Sequence, residues 1–142
     1  MAVITRTVLF SFCLIASCNT ATMNKANDLN ALLDTIEQLV GTTEAGDPGQ
    51  CRMLPFGSKP MGGPWGYLVY SAADTDEEKL REAVEAYNRL DADRNREESL
   101  MSTGDMATPP TLIIKNGQCH GEGIYAIHAE ELESFKIADS DS

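Results

Sequence analysis

Four cysteines, Cys13, Cys18, Cys51 and Cys119, carry the most versatile chemistry in this chain. A thiol can take a thioether lipid, close a disulfide or bind a soft metal. The spacings narrow the choice. No Cys-x-x-Cys pair occurs, and His120 and His128 are not set at zinc-ligand intervals from the cysteines. Neither a Gly-x-Ser-x-Gly nucleophile elbow nor a His-Glu-x-x-His helix is present, and Ser58-Lys59 lacks the Ser-x-x-Lys interval. A hydrolytic enzyme is therefore the weaker expectation. Met53, Met61, Met106 and His120 form a conceivable soft set for Cu(I), but methionines on strands and loops more often fill core gaps. The expectation is no catalytic residue, no metal and no cofactor.

The second concentration of useful side chains lies between Cys51 and Ser71, which holds the only Trp and three of the six prolines. Phe56, Lys59, Pro60 and Trp65 would give a rigid recognition loop with little ordering cost on binding. A protease-inhibitor loop is a special case: Lys59 would enter the protease pocket and Pro60 would resist cleavage after it. The competing expectation is structural, a compact Gly/Pro turn with the Trp65 ring packed over it. Only the tip, 58–63, is expected to recognise anything.

The N-terminus carries a different signal. Arg6 precedes a short apolar run, Thr7 to Ala16, too short to span a bilayer. The run ends in Ile15-Ala16-Ser17-Cys18, which resembles the lipobox of bacterial lipoproteins. The resemblance implies a signal peptide over 1–17, cleavage before Cys18 and lipidation of Cys18 on its thiol and new amino group. Two or three acyl chains, palmitate-like in class, anchor firmly where one is marginal. Cys13 does not fit, because Phe10 and Phe12 stand where aliphatic or small residues belong. Asn19 is not the Asp associated with inner-membrane retention. The expected place is the bacterial cell envelope, on the periplasmic face of the outer membrane in a Gram-negative host. With Cys13 removed and Cys18 lipidated, Cys51 and Cys119 remain in an oxidising compartment, which suggests one disulfide.

Charge excludes some partners. The chain carries 11 basic and 22 acidic residues, a net charge of −11. Loss of 1–17 removes only Arg6, leaving the mature chain near −12. Nucleic acid needs a basic face, so it is not an expected partner. The membrane is expected through the lipid anchor, together with an unidentified protein or small-molecule partner.

The elements that must position these residues are readable from periodicity. Segment 18–27 reads as a polar tether. Leu29, Leu32, Leu33, Ile36, Leu39 and Val40 form one helical stripe, with Asn27 as the expected N-cap and Gly41 as the stop. Arg52 to Phe56 and Trp65 to Ser71 read as strands. Thr75-Asp76-Glu77-Glu78 opens a second helix with Leu80, Val84, Tyr87 and Leu90 on its buried side. Its continuation, Asp91 to Ser99, is polar enough to predict a solvated face. Thr111 to Lys115, Asn116-Gly117 and Gln118 to His120 predict a hairpin with a type I′ turn. A further strand at Gly123 to His128, a short helix at Ala129 to Ile137 and an acidic tail over 138–142 complete the chain.

The run Cys51-Arg-Met-Leu-Pro-Phe-Gly-Ser-Lys-Pro-Met-Gly-Gly-Pro-Trp-Gly-Tyr-Leu-Val-Tyr-Ser resembles the signature of a group of small bacterial secreted proteins and lipoproteins of no assigned activity. In that group the pattern is Phe-Gly-x-Lys-Pro-Cys-Gly-Gly-Pro, an aromatic, then Tyr-Leu-Val-Tyr-Ser. Tyr87-Asn88 and Gly117-Gln118-Cys119 continue the likeness. It departs at Met61, where the group has Cys, and at Met106, which aligns with the partner Cys. The resemblance implies that Met61 and Met106 replace a second disulfide and touch, and it strengthens the Cys51–Cys119 pairing. The expected fold is a small single α+β domain over 28–137, with two or three helices packed on a short antiparallel sheet and one disulfide. The expected role is a lipid-anchored binding module.

Overall fold

The computed structural model describes residues 17–138, with side chains from Asn24 onward. Residues 1–16 of the expected signal peptide and most of the acidic tail lie outside the described residues, as does the Cys18 side chain. Helix α1 (Ser17–Val40) is followed by a 3₁₀ turn (Pro48–Gln50), strands β1 (Cys51–Phe56) and β2 (Gly66–Ser71), and helix α2 (Glu77–Glu97). Strands β3 (Thr111–Lys115), β4 (Gln118–Glu122) and β5 (Ala126–Ile127) and a 3₁₀ segment (Ala129–Phe135) complete the order. The fold is a small α+β domain stapled by Cys51–Cys119, whose Cα atoms are 5.4 Å apart.

α1 differs from expectation at its start. It begins at Ser17 and not at an Asn27 cap, so the backbone of the segment read as a tether is helical. Nothing between Ser17 and Asn27 is a Gly or Pro, so no residue there forces a break. α2 starts one residue later than the expected Thr75-to-Glu78 capping box: Asp76 is the N-cap, accepting from the Lys79 amide at 3.2 Å, with Glu77 and Glu78 in the first turn. The two helices run antiparallel. Lys25 Nζ meets Glu97 Oε1 at 2.6 Å at one end, and Thr75 Oγ1 donates to the Val40 carbonyl at 3.5 Å at the other.

The strands form two sheets, where one antiparallel sheet was expected. β1 and β2 pair antiparallel, Cys51 opposite Ser71 and Phe56 opposite Gly66. β5 joins β2 in parallel, Tyr67 beside Ala126. β3 and β4 make a separate hairpin whose turn residues, Asn116 (φ 54°) and Gly117 (φ 76°), have the positive dihedrals of a type I′ turn. The separation follows from β2, which is covered on both faces. Leu68 and Tyr70 face the helices in a core with Leu29, Leu33, Ile36, Val40, Phe56, Leu80, Val84 and Tyr87. Val69 points the other way, into a second cluster with the disulfide, Leu112, Ile114 and Ala126. The hairpin therefore lies over the sheet as a third layer, and the disulfide fastens it there. Phe56 sits at the centre of the helix-side core, stacked on Tyr87 at 4.8 Å and edge-on to Phe135 at 5.2 Å.

Candidate functional site

The loop between β1 and β2 is held by one face of α2, two of whose residues, Asp91 and Asn95, come from the stretch expected to be solvated. Asn88, Asp91 and Asn95 stand at i, i+3 and i+7, so they share one helix face. The Gly57 amide donates to Asn88 Oδ1 at 2.6 Å, and Asn88 Nδ2 donates to the Pro55 carbonyl at 3.0 Å. Asp91 Oδ2 accepts from the Ser58 amide at 2.8 Å and from Trp65 Nε1 at 3.0 Å. Asn95 Nδ2 donates to the Ser58 carbonyl. Burial pushes the Asp91 carboxyl above its ordinary range, while its two donors and Arg94 pull the other way. Within the loop the Lys59 amide donates to the Gly63 carbonyl and the Gly62 amide returns to the Lys59 carbonyl, at 2.8 and 2.9 Å. Gly57, at φ 74°, leaves room for the indole: a Cβ there would lie 2.2 Å from Trp65 Cδ1.

A second set of bonds joins this loop to the 99–110 segment. Lys59 Nζ donates to the Asp105 carbonyl at 2.7 Å and lies 3.1 Å from its Oδ1. The Tyr125 hydroxyl donates to Asp105 Oδ2 at 2.6 Å. Hydrogen bonds from Thr103, Tyr125 and Lys59 hold the Asp105 carboxyl well below the usual carboxylate range. The Met61 amide donates to Ser102 Oγ at 3.2 Å.

These placements correct the recognition loop as expected. Phe56 is fully buried at 0% exposure and Lys59 is buried at 5%, so neither is presented to a partner. An inhibitor loop with Lys59 entering a protease pocket is likewise not what this geometry displays, because the ammonium is already enclosed and bonded. Pro60 is half-buried, and Trp65 is partly exposed, at 36%. Met61 and Met106 are both surface residues, at 60% and 81% exposure, so neither fills a buried gap left by a missing disulfide. Asp91 and Asn95 were missed because their composition reads as solvated. The available signal was register: Leu80, Val84, Tyr87, Asp91 and Asn95 continue one stripe, and all five are buried.

The opposite end of the molecule holds an open polar cleft of about 510 Å³ between the end of α1, the tip of the β3–β4 hairpin and the 3₁₀ segment. Glu37, Thr42, Lys115, His120, His128 and Glu130 line it. The two imidazoles stack with centroids 4.4 Å apart and planes 12° from parallel. His128 Nε2 accepts from the Gly121 amide at 3.1 Å, and Nδ1 lies 3.2 Å from Glu131 Oε2. With Nε2 accepting, the neutral ring donates through Nδ1, so both nitrogens are engaged and His128 is poorly placed as a general base. No hydrogen bond engages the His120 ring among the described residues, and no group of three or more His, Cys, Asp and Glu among them is arranged to hold a metal. What the cleft offers is recognition chemistry: carboxylates, an ammonium, hydroxyls and an imidazole.

No protein-family model matches the chain, and neither a curated protein nor a solved structure matches it significantly.

Proposed function

We propose that the protein is a lipid-anchored binding module of the bacterial envelope, tethered through Cys18 at one end and open to a small polar ligand at the other. The observation that carries this reading is the separation of the two ends. α1 begins beside the β1–β2 loop, where Lys25 meets Glu97, and finishes beside the polar cleft, where Thr75 bonds the Val40 carbonyl. An anchor at the start of α1 would leave the cleft facing away from the membrane. The cleft presents both signs of charge, through Glu37 and Lys115, with His120 and Thr42 between hydrogen-bonding roles. That inventory suits a zwitterion or a polar molecule with donors and acceptors. The disulfide suits an oxidising envelope compartment. The Asn that follows Cys18 favours the outer membrane, periplasmic face, in a Gram-negative host.

Two measurements test the reading. The intact mass of the chain extracted from membranes is expected to show cleavage before Cys18 and two or three acyl chains on it. An unmodified Cys18, or a cut elsewhere, overturns the anchor. Heteronuclear NMR with free amino acids and dipeptides as probe zwitterions is expected to shift His120 and Lys115 resonances, with His120→Ala abolishing the response. Shifts confined to other surfaces, or none across the probes, overturn the cleft as the binding site.

A further inference from the structure

The exposed large apolar side chains among the described residues are Met61, Trp65, Met101, Met106 and Ile124. They come from three stretches of chain, and those stretches are tied together. Met61 bonds Ser102, Lys59 bonds Asp105, and Tyr125 bonds the same Asp105. All five therefore belong to one end of the molecule. α1 starts at this end too, because Lys25 pairs with Glu97 in the last turn of α2, a few residues beyond the Asp91 and Asn95 that hold the loop. Cys18, the expected anchor, lies seven residues before Lys25 on the same helix.

Most charge at this end is compensated, although the chain as a whole carries −11; Glu122, two residues before Ile124, is exposed and has no cation partner among the described residues. Each surface acid of α2's last two turns and of the 99–110 segment has a cation: Asp93 with Arg96, Glu97 with Lys25, Glu98 with Arg94 and Asp105 with Lys59. Asp91 is buried against the loop. An acidic protein thus presents one end that combines mostly paired charges with unbranched, adaptable methionines and an indole. Methionine tips and Trp are well suited to the boundary between headgroups and acyl chains.

We propose that this end docks on the lipid bilayer, with Met61, Met101, Met106 and Ile124 entering the headgroup–acyl boundary and Trp65 at headgroup level. The proposal rests on the reading of Cys18 as the anchor and goes beyond it by assigning the face that lies against the membrane. Tethering keeps this end close to the surface, so weak apolar contacts are enough to orient the domain. No described helix is long and apolar enough to cross a membrane, so the contact is made by side-chain tips.

Trp65 is the only tryptophan and reports on this end directly. The full chain, processed and lipidated in a bacterial envelope, is reconstituted into phosphatidylethanolamine–phosphatidylglycerol vesicles with or without acyl-brominated lipid. Brominated lipid is expected to quench Trp65 emission about two-fold, as for an indole at the interface. The Met61→Asp/Met106→Asp variant is expected to co-float with vesicles, keep its far-UV circular dichroism and lose the quenching. Ile124→Asp serves as a second variant at an independent exposed position. A lipidated Cys18 with unquenched Trp65 overturns this proposal alone; an unmodified Cys18 in the intact mass overturns the anchor reading and this proposal with it. Quenching retained in both variants overturns the assigned surface. A Trp65 shielded from acrylamide yet untouched by brominated lipid points to a second copy or a protein partner, and also overturns it.

Discussion

Asp91 is the residue whose removal most directly tests how the loop is held. Its Oδ2 takes the Ser58 amide at 2.8 Å and the Trp65 indole N–H at 3.0 Å. Asp91→Ala strands both donors. The indole is partly exposed, so its N–H can find water; the Ser58 amide belongs to a half-buried residue and costs about 1–3 kcal/mol where it is left unmet. Against this, Ala is the better helix former by about 0.5 kcal/mol. The net expectation is a loss of about 1–2 kcal/mol, or a fall of about 1 M in the urea midpoint for a domain of this size. Asp91→Asn keeps an acceptor in place and is expected within about 1 kcal/mol of wild type. The pH dependence separates this from mere loss of packing. The folded Asp91 carboxyl lies above its unfolded value of 3.8 because burial penalises the charge. As pH rises from that value through the folded one, the unfolded state loses its proton first. Wild type therefore loses stability relative to Asp91→Asn across that window, and the gap is constant above it. Urea unfolding followed by Trp65 emission, with the disulfide intact, measures both. Equal stability of Asp91→Ala and wild type refutes the clasp. A gap between wild type and Asp91→Asn that ignores pH refutes the role of burial.

Three further outcomes are expected. Gly57→Ala meets a backbone at φ 74° and places a Cβ 2.2 Å from Trp65 Cδ1, so it should cost at least about 1–2 kcal/mol from the left-handed backbone alone and shift Trp65 emission; a midpoint unchanged in urea contradicts it. Removing the disulfide by Cys51→Ala/Cys119→Ala releases a loop with a sequence separation of 68, worth about 4 kcal/mol in the chain-entropy model, and calorimetry showing a loss under about 1 kcal/mol would contradict that value. Asp105 has a folded value held below 3.8, so its contribution is present above that value and is lost as pH falls toward the folded one. Asp105→Asn should flatten that acid limb in a stability–pH series and speed proteolytic nicking in 99–110; an unchanged acid limb argues against the Lys59–Asp105 tie.

The legible parts of the fold were those set by local pattern. Both helices, the β1 and β2 strands and the Asn116-Gly117 hairpin follow from periodicity, caps and turn dihedrals, which act within a few residues. The Cys51–Cys119 pairing followed from counting cysteines once two were assigned to the leader and the lipid. What periodicity did not reveal was how β2 would be covered. A strand buried on one face and a strand buried on both differ only at Val69 and Ser71, and neither residue says whether helix or hairpin lies opposite. The same blindness hid the site. Lys59 looks exposed on composition, because a lysine is almost never buried without a partner. Its partner, Asp105, lies in a segment with no regular structure. Asp91 and Asn95 look solvated for the same reason, since their register continues the apolar stripe while their chemistry does not.

Burying Lys59 at the tip of a Gly/Pro loop is costly unless the ammonium is well bonded, and here it is bonded twice by Asp105. Replacement by an apolar side chain could fill the space, but it would not fix the 99–110 segment, because only a donor can engage the Asp105 carbonyl and carboxylate together. The pair thus trades desolvation for a defined relation between two irregular segments that share no strand ladder. Asp91 does the same for the other side of the loop. The outcome bears on recognition: side chains left at the surface of this end, Met61 and Trp65 among them, are carried on backbone already fixed by α2 and by Asp105. Any surface that meets them encounters side-chain tips free to adapt on a scaffold that is not, which lowers the ordering cost of contact to that of the tips alone. The buried lysine, expected as the group that reaches a partner, acts instead as the brace that holds the reaching residues in place.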